Sequence, residues 1–425
     1  MIPPERAPVG VDSAYAWRRL FRSLVLMTIG GSGMYTISVT LSPVQAEFDA
    51  TRGDASLPYT LAMIGFGIGS MLMGRIADRF GVWIAASIGS ICLSSGYLAA
   101  GFAGSLWQFS LAQGVLIGLL GTAATFAPLA ADTTKWFTRR RGMALAICMS
   151  GNYLAGAAWS PVIQHFVATI GWRNTYIAMG AFCFLTMLPL ALTLRRSAPT
   201  VEPATAAPGA SAPTVMVHSS HASDRPLGMS PGSLQALLCI ASVACCVAMS
   251  MPQVHIVAYC TDLGFGAARG AEMLSLMLGM GIVSRLVSGW ISDHIGGLRT
   301  LMLGSVLQGV ALLMFLFTEE LPSLYLIAGM FGLFQGGIVP SYALIVREYF
   351  TPREAGARVG TVLMCSLFGM AFGGWVSGAI FDLTGTYQAA FLNGTAWNLL
   401  NVGIVVFLLF RVRRLSAGRT ALASS

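Results

Sequence analysis

The chain is a succession of apolar segments, each about as long as the core of a lipid bilayer requires of a helix. A membrane-spanning helix needs about 20 mainly apolar residues, and such a segment must be helical because its backbone groups find no water to bond. The sequence therefore predicts an all-α membrane protein with twelve transmembrane helices. We expect them near residues 20–46, 57–76, 82–103, 107–131, 142–167, 173–194, 233–259, 268–291, 299–318, 321–346, 358–381 and 386–410.

The composition agrees with a membrane protein and argues against several other classes. Of the 425 residues 55% are hydrophobic and only 10% are charged, whereas soluble proteins carry about 25% charged residues. The net charge of +8 is nearly all Arg in short loops, so we expect a lipid bilayer and not nucleic acid as the partner. The eight cysteines form no CxxC pair, and we expect no metal and no cofactor. Since no nucleophile–base motif or phosphate loop is present, an enzyme is not expected.

The distribution of basic residues predicts the orientation of the chain. Alternate loops hold most of the Arg residues and the single Lys, whereas the opposite loops hold only Arg52, Arg173 and Arg269. Because basic loops stay on the cytoplasmic side, we expect both termini there, in a bacterial inner membrane.

The stretch 195–232 separates two halves, 1–194 and 233–425. It is rich in Ala, Pro, Ser and Thr and is predicted to be a flexible cytoplasmic linker, because it has too few apolar residues to fold alone. We interpret its His218 and His221 as incidental, not as metal ligands.

The two halves repeat each other. Residues 74–81 recur at 289–296, which is 215 positions later, and residues 135–139 recur at 348–352, 213 positions later. A third match, around Gly171 and Gly385, has an offset of 214. A parallel repeat of this kind is one way to build a secondary transporter, with the substrate site between the halves near the midplane.

Arg285 lies inside the eighth apolar segment. An Arg near the bilayer centre costs about 3 kcal/mol, and such a residue usually faces a cavity or a partner and marks a functional site. Its guanidinium suits bidentate capture of a carboxylate. The alternative is that Arg285, about two turns from the cytoplasmic end, extends to the lipid headgroups.

The loop Gly74-x-x-x-Asp78-Arg79-x-Gly81 resembles the signature between helices 2 and 3 of the major facilitator superfamily, and Asp293 marks a weaker second copy. The resemblance covers nearly the whole chain. It implies two six-helix bundles and a cytoplasmic charge network, in which Asp78, Arg79 and Asp293 are candidate gating residues.

Within that superfamily the chain resembles the monocarboxylate porters and the related oxalate/formate exchangers. Residues 136–144, Trp-Phe-Thr-Arg-Arg-Arg-Gly-Met-Ala, are similar to the signature that precedes helix 5 in the monocarboxylate group. The resemblance implies that one Arg on helix 8 binds the substrate carboxylate, and Arg285 is the intramembrane candidate. Some animal members also have a Lys on helix 1, where this chain offers Ser32, Tyr35 and Thr36, and an acidic residue one turn before the Arg, where it has Gly281. Proton coupling through those groups is therefore not carried over.

Other polar residues in the apolar segments are candidates for substrate binding. His255 and Tyr259 are four residues apart and share a helix face, and His255 could carry the coupling proton because imidazole titrates near neutrality. Each candidate has an alternative role in packing or in bonding its own helix. The remaining substrate-binding candidates are Tyr35, Thr122, Phe126, Asn152, Gln335 and Tyr342. At the outer ends, Asp262 and Glu272 could form a gate with Arg269, but solvated loop charges are the favoured interpretation.

The sequence thus predicts a secondary transporter that moves small monocarboxylates, of the lactate or pyruvate type, together with a proton by alternating access. It is expected to act as a monomer. An oxalate/formate-type exchanger is the main alternative, although a dianion would need a second intramembrane cation. A carboxylate sensor that does not transport is the other alternative.

Overall fold

The computed structural model describes residues 10–196 and 226–423 of the chain. Within them the chain forms twelve long helices and a short 3-10 turn, Pro226–Gly228. Numbered α1 to α12 along the chain, the long helices are Ala14–Glu47, Arg52–Phe80, Val82–Gly101, Leu106–Trp136, Arg141–Ile170, Trp172–Leu192, Pro231–Asp262, Ala267–Ile295, Gly297–Met314, Leu321–Tyr349, Pro352–Thr384 and Tyr387–Ala423.

Each predicted apolar segment corresponds to one of these helices, so the all-α fold is confirmed. Eleven helices of the described residues are long and apolar enough to cross a membrane, and α5, with 30 residues, lies between two of them. Several helices extend beyond the predicted segments, because their ends are polar. The clearest case is α1, which begins at Ala14 and not near residue 20. Helices α1–α6 form the N-terminal bundle and α7–α12 form the C-terminal bundle.

The glycines shared by the repeated motifs end helices at tight turns. Gly81 and Gly296 stand between α2 and α3 and between α8 and α9, with φ of 95° and 83°. Gly171 and Gly385 do the same after α5 and α11, with φ of 80° and 71°. A side chain is strained at such φ values. The repeat therefore marks the same turns in both bundles.

Two helices are interrupted close to Arg285. α1 is interrupted at Gly31, between Ala14–Gly30 and Ser32–Glu47, and α10 is interrupted between Leu321–Gln335 and Ile338–Tyr349. A Cβ added to Gly31 would lie 2.7 Å from Ala155 of α5. In α10, a Cβ on Gly336 would lie 2.4 Å from the carbonyl oxygen of Gly281 in α8. Small residues allow this close approach of helices, and both interruptions lie beside the helices that carry the site.

The twelve helices place the residues that flank the linker, 195–196 and 226–230, at the same end of the molecule as the start of α1 and the end of α12. We call this the linker end, and the opposite end the far end. Most of the predicted linker, including His218 and His221, lies outside the described residues.

Candidate functional site

Arg285 occupies the middle of α8 and points toward the N-terminal bundle. Its guanidinium carbon lies 4.6 Å from the ring centre of Tyr153 in α5, and its Nη1 donates a long, 3.3 Å hydrogen bond to the carbonyl oxygen of Met149. Its Nε is buried and has no hydrogen-bond partner. Of the ion pairs among residues 10–196 and 226–423, none involves Arg285. The charge of Arg285 is therefore only partly met by the protein.

Gly281 explains why an aromatic ring, and not a carboxylate, lies beside Arg285. A Cβ added to Gly281 would lie 2.5 Å from Cε1 of Tyr153, so the ring covers the glycine one turn before Arg285. Some animal members of the monocarboxylate group, as noted above, have an acidic residue at this position. The ring takes that space, and a cation–π contact is a much weaker partner for Arg285 than a carboxylate.

Tyr35 of α1 completes this group. It is buried, its ring lies against Gly156 of α5, and it is close enough to Arg285 and Tyr153 to interact with them electrostatically. We call Arg285, Tyr35 and Tyr153 the arginine–tyrosine cluster. Its members come from three helices and from both bundles, and it combines one incompletely bonded cation with two phenol groups.

Two of the three residues that could have replaced the helix-1 Lys instead bond within the N-terminal bundle. The hydroxyls of Ser32 and Thr36 lie 2.8 and 2.9 Å from the hydroxyl of Tyr97. This leaves Tyr35 as the α1 side chain beside Arg285.

The other candidates of the N-terminal bundle lie around the helix interruption. Thr122 donates to the carbonyl oxygen of Gly30 at 3.1 Å. Phe126 is half-buried and packs edge-on against Phe66, with ring centres 5.4 Å apart. Asn152 is half-buried, and its Oδ1 lies 3.2 Å from a Cβ built on Gly31. None of these contacts joins them to Arg285.

The candidates of α10 and the Tyr of α7 bond or pack inside the C-terminal bundle. Tyr342 is fully buried and donates to Asn401 at 2.7 Å. Gln335 accepts from Gln253 at 3.0 Å, while its own Nε2 is buried without a partner. Tyr259 packs against aromatic rings of α12. The Nε2 of Gln335 is thus a buried donor that the described residues leave without an acceptor.

His255 belongs to a hydrogen-bonded chain near the far end. Arg52 Nη1 donates to the Tyr387 hydroxyl at 2.9 Å, and that hydroxyl lies 3.3 Å from His255 Nδ1. His255 Nε2 lies 2.8 Å from the carbonyl oxygen of Gly374, which can only accept, so Nε2 carries the proton. In the neutral imidazole, Nδ1 then accepts from the Tyr387 hydroxyl. The structure places His255 in this chain and not against Arg285.

Two carboxylates join the same network across the bundles. Asp382 of α11 accepts from the backbone N–H groups of Arg52 and Gly53, both at 2.7 Å, and so caps the N-terminus of α2. Asp262 of α7 pairs with Arg52 at 3.2 Å. We call Arg52, Asp262, Asp382, Tyr387 and His255 the far-end network. It bonds one helix of the N-terminal bundle to three helices of the C-terminal bundle.

The favoured interpretation of Asp262 as a solvated loop charge does not describe this pairing. Its partner is Arg52, and not Arg269. Arg269 pairs with Glu272 at 3.0 Å on the exposed surface, where Tyr325 also donates to Glu272.

The bundles are tightly packed at the far end and at the midplane. A Cβ on Gly378 of α11 would lie 2.8 Å from the carbonyl oxygen of Arg52 in α2. A Cβ on Gly281 of α8 would lie 2.5 Å from the ring of Tyr153 in α5. Toward the linker end, glycines of the same paired helices face open space; these are Gly142, Gly289, Gly356 and Gly360. The contacts therefore indicate a molecule closed at the far end and open toward the linker end.

The predicted gating residues lie at the linker end and are exposed. Asp78 is 3.7 Å from Lys135 of the same bundle. Arg79 lies over the ring of its neighbour Phe80, with 5.2 Å to the ring centre. Asp293 occupies the equivalent turn of the C-terminal bundle. Their role in gating stays a prediction.

Several residues of these networks were missed by the reasoning from sequence. Tyr153 is adjacent to Asn152. Because the surrounding segment is apolar on all sides, its sequence does not show which of the two residues faces Arg285. Arg52 was counted as a loop charge, and its acceptor Asp382 and the hydroxyl of Tyr387 come more than 300 positions later. The position of Arg52 in the first turn of an apolar helix was the available sign that it has a partner.

The comparison with protein families gives a match over nearly the whole chain. Residues 23–318 and 273–424 match the family model described as Major Facilitator Superfamily.

Curated proteins and solved structures agree with that match. The chain is 29% identical to monocarboxylate transporter 13 of Bos taurus over 353 residues, which cover 82% of this chain and 79% of that protein. It is 25% identical to monocarboxylate transporter 11 of Homo sapiens over 399 residues, covering 90% and 80%. Among solved structures, a mutant of the nucleoside transporter NupG is similar with a TM-score of 0.72 at 13% identity, covering 92% of this chain and 99% of that one. At that identity the likeness concerns the fold alone.

Proposed function

Because this chain belongs to the major facilitator superfamily and is a membrane transporter, not an enzyme, we propose that it moves a small monocarboxylate of the lactate or pyruvate type together with a proton. The monocarboxylate transporters among its relatives support the substrate class. The observation that carries the proposal is Arg285, an intramembrane guanidinium without a carboxylate partner among the described residues.

A monocarboxylate would supply what Arg285 lacks. Its two oxygens can accept from the unpartnered Nε and from an Nη, in the bidentate geometry that Arg favours. Tyr153 covers one face of the guanidinium and leaves the edge that carries the donors. Tyr35 would donate a further hydrogen bond. A dicarboxylate would need a second cation, and the arginine–tyrosine cluster contains only one.

The asymmetry of the two ends supports a mechanism of alternating access. The far-end network closes one side, and the bundles separate toward the linker end. We place the linker end in the cytoplasm, because the basic loops lie there. A substrate bound at Arg285 would then leave toward the cytoplasm, and opening the far end would require the bonds of Arg52 to break.

For the coupling proton we propose His255. Protonation makes both ring nitrogens donors, so Tyr387 could no longer donate to Nδ1. It would also place a positive charge beside Arg52 in the far-end network, where Asp262 and Asp382 already serve as its acceptors. Both effects would favour opening of the far end, where protons and substrate would enter together.

Uptake of labelled lactate into proteoliposomes tests this function. We expect an inward proton gradient to drive accumulation, and we expect His255→Gln, which keeps two polar groups but cannot titrate near neutrality, to lose the response to the gradient. His165→Gln, on the exposed face of α5, is the matched control. Uptake only into vesicles preloaded with a carboxylate would instead show an exchanger, and no uptake with intact lactate binding would favour a sensor.

A further inference from the structure

A crevice of about 410 Å³ lies at the linker end of the N-terminal bundle, remote in the fold from the arginine–tyrosine cluster. Its walls come from the first turns of α1, the turn between α2 and α3, and the ends of α4 and α6. Charged side chains make up much of the lining, and they are Arg19, Asp78, Arg79, Asp132, Lys135, Arg195 and Arg196.

These side chains give the crevice an excess of positive charge. Five of them are basic and two are acidic. Both acidic groups already have partners, since Asp132 pairs with Arg19 at 2.8 Å and Asp78 lies 3.7 Å from Lys135. Arg195 lies over the ring of Trp83, with 5.0 Å to its centre. Within the described residues no carboxylate pairs with Arg195, so the crevice can accept an anion.

Arg19 carries an unused donor in the wall of the crevice. The residue is only 2% exposed. Its Nε and Nη2 bond Asp132, and Nη2 also bonds the carbonyl oxygen of Leu194 at 3.2 Å. Its Nη1 is buried and has no partner. A buried donor without an acceptor is costly, so Arg19 retains the capacity for a further acceptor.

The corresponding part of the C-terminal bundle is apolar. By the offsets of 213 to 215 that relate the repeated motifs, Arg19 and Asp132 correspond to Leu234 and Ile345. Both are fully buried in one apolar cluster. The same position in the architecture is therefore filled by hydrophobic packing in one bundle and by an ion pair beside a basic crevice in the other.

From these observations we infer that the crevice binds the phosphate headgroup of an anionic lipid. Arg side chains suit phosphate oxygens, and basic pockets between membrane helices bind such headgroups. A lipid is favoured over free phosphate because apolar side chains share the crevice, among them Trp83 and Phe80, and the Phe80 ring is 52% exposed at its edge. Aromatic residues of this kind lie at the level of the headgroups.

Lipid binding by the purified full-length protein in detergent, followed by native mass spectrometry, tests the inference. The probes are phosphatidylglycerol, phosphatidylcholine and inorganic phosphate. We expect phosphatidylglycerol to bind at least about tenfold more tightly than phosphatidylcholine, since each basic residue near a headgroup contributes on that order. Removing two charges by Arg195→Gln with Arg196→Gln should weaken phosphatidylglycerol binding by about tenfold or more.

The matched control is Arg299→Gln with Arg347→Gln. It removes two exposed Arg side chains from the linker end of the other bundle, and it should leave binding unchanged. An equal loss in both double variants would overturn the inference, because attraction would then be a property of the whole surface. Equal binding of the two lipids would overturn it as well. Inorganic phosphate that binds as tightly as phosphatidylglycerol would assign the crevice to a free anion and not to a lipid.

Discussion

The N-terminal and C-terminal bundles share an architecture but place their buried charges differently. Arg285 of α8 stands 215 positions after Ser70 of α2, whose hydroxyl only bonds the carbonyl oxygen of Phe66 in its own helix. Conversely, the buried pair of Arg19 and Asp132 corresponds to two apolar residues of the C-terminal bundle. Each of these positions holds a charged residue in one copy of the repeat and a neutral residue in the other. The difference between the copies therefore marks Arg285 and the pair of Arg19 and Asp132 as candidates for a role beyond folding.

The largest effect on stability should come from breaking the buried ion pair of the N-terminal bundle. Asp132→Ala leaves Arg19 buried without its partner and should cost about 3–5 kcal/mol. The double change Arg19→Leu with Asp132→Ile copies the C-terminal bundle and should restore stability to within about 1 kcal/mol of the wild type. Thermal unfolding in detergent measures both. A double variant as unstable as Asp132→Ala would mean that the bundles are not interchangeable at this position.

The next effect concerns the far end, where the bundles are bonded to each other. Asp382→Ala removes the acceptor of two backbone N–H groups at the start of α2 and should weaken closure by about 2 kcal/mol. Hydrogen–deuterium exchange of residues 52–60 should become faster. Glu320→Ala, which removes an exposed carboxylate at the same end, should leave this exchange as it is. Equal exchange in the two variants would show that Asp382 does not hold the bundles together.

A smaller effect is expected at Tyr153, whose ring in the N-terminal bundle contacts Arg285 of the C-terminal bundle. Tyr153→Leu removes the cation–π partner of Arg285, worth about 1–2 kcal/mol when partly desolvated, and should raise KM for the carboxylate about tenfold. Tyr153→Phe keeps the ring and should stay within about threefold of the wild type. Initial uptake rates over a range of substrate concentrations distinguish them. If Tyr153→Phe were as impaired as Tyr153→Leu, the hydroxyl and not the ring would matter.

The smallest effect should be at Asp12, which bonds Trp136, Thr138 and Arg139 at the start of the signature at residues 136–144. The hydrogen bond from the Thr138 hydroxyl lowers the pKa of Asp12 most, and the bond from the Arg139 backbone N–H lowers it further. The carboxylate form is therefore favoured in the folded protein. The contribution of this carboxylate to the stability of the folded protein is fully present above the ordinary carboxyl pKa of about 4. It is lost only as the pH falls through the lowered pKa of Asp12. Asp12→Asn should thus reduce thermal stability slightly at pH 7, and the difference from the wild type should shrink below about pH 4. A difference that grows on acidification would contradict this sign.

The fold could be predicted from the sequence because the bilayer leaves few choices. Twenty apolar residues must form a helix, and the repeated glycines marked turns that only glycine adopts easily. Arg285 could be selected for the same reason, since its charge stands alone in an apolar segment.

The partners of these residues could not be predicted. The apolar run that predicts the first helix starts near residue 20 and leaves Arg19 outside it, whereas α1 already begins at Ala14. The pairing of Arg52 with Asp262 joins residues 210 positions apart, and no local pattern encodes such a distance. His255 lies 3.3 Å from the Tyr387 hydroxyl. That contact could not be predicted, because periodicity gives the faces of a helix and not what each face meets.

The central claim is that Arg285 binds the substrate carboxylate, and the most direct test is lactate uptake by Arg285→Gln beside Arg269→Gln. Both variants remove one Arg from α8, but Arg269 is exposed and paired with Glu272. Losing one partner of a buried, charge-assisted pair costs about 2–5 kcal/mol. We therefore predict that kcat/KM falls about 100-fold or more in Arg285→Gln and stays near the wild-type value in Arg269→Gln. Equal and near-normal uptake in both variants would show that Arg285 does not bind substrate, and the proposed site would be wrong.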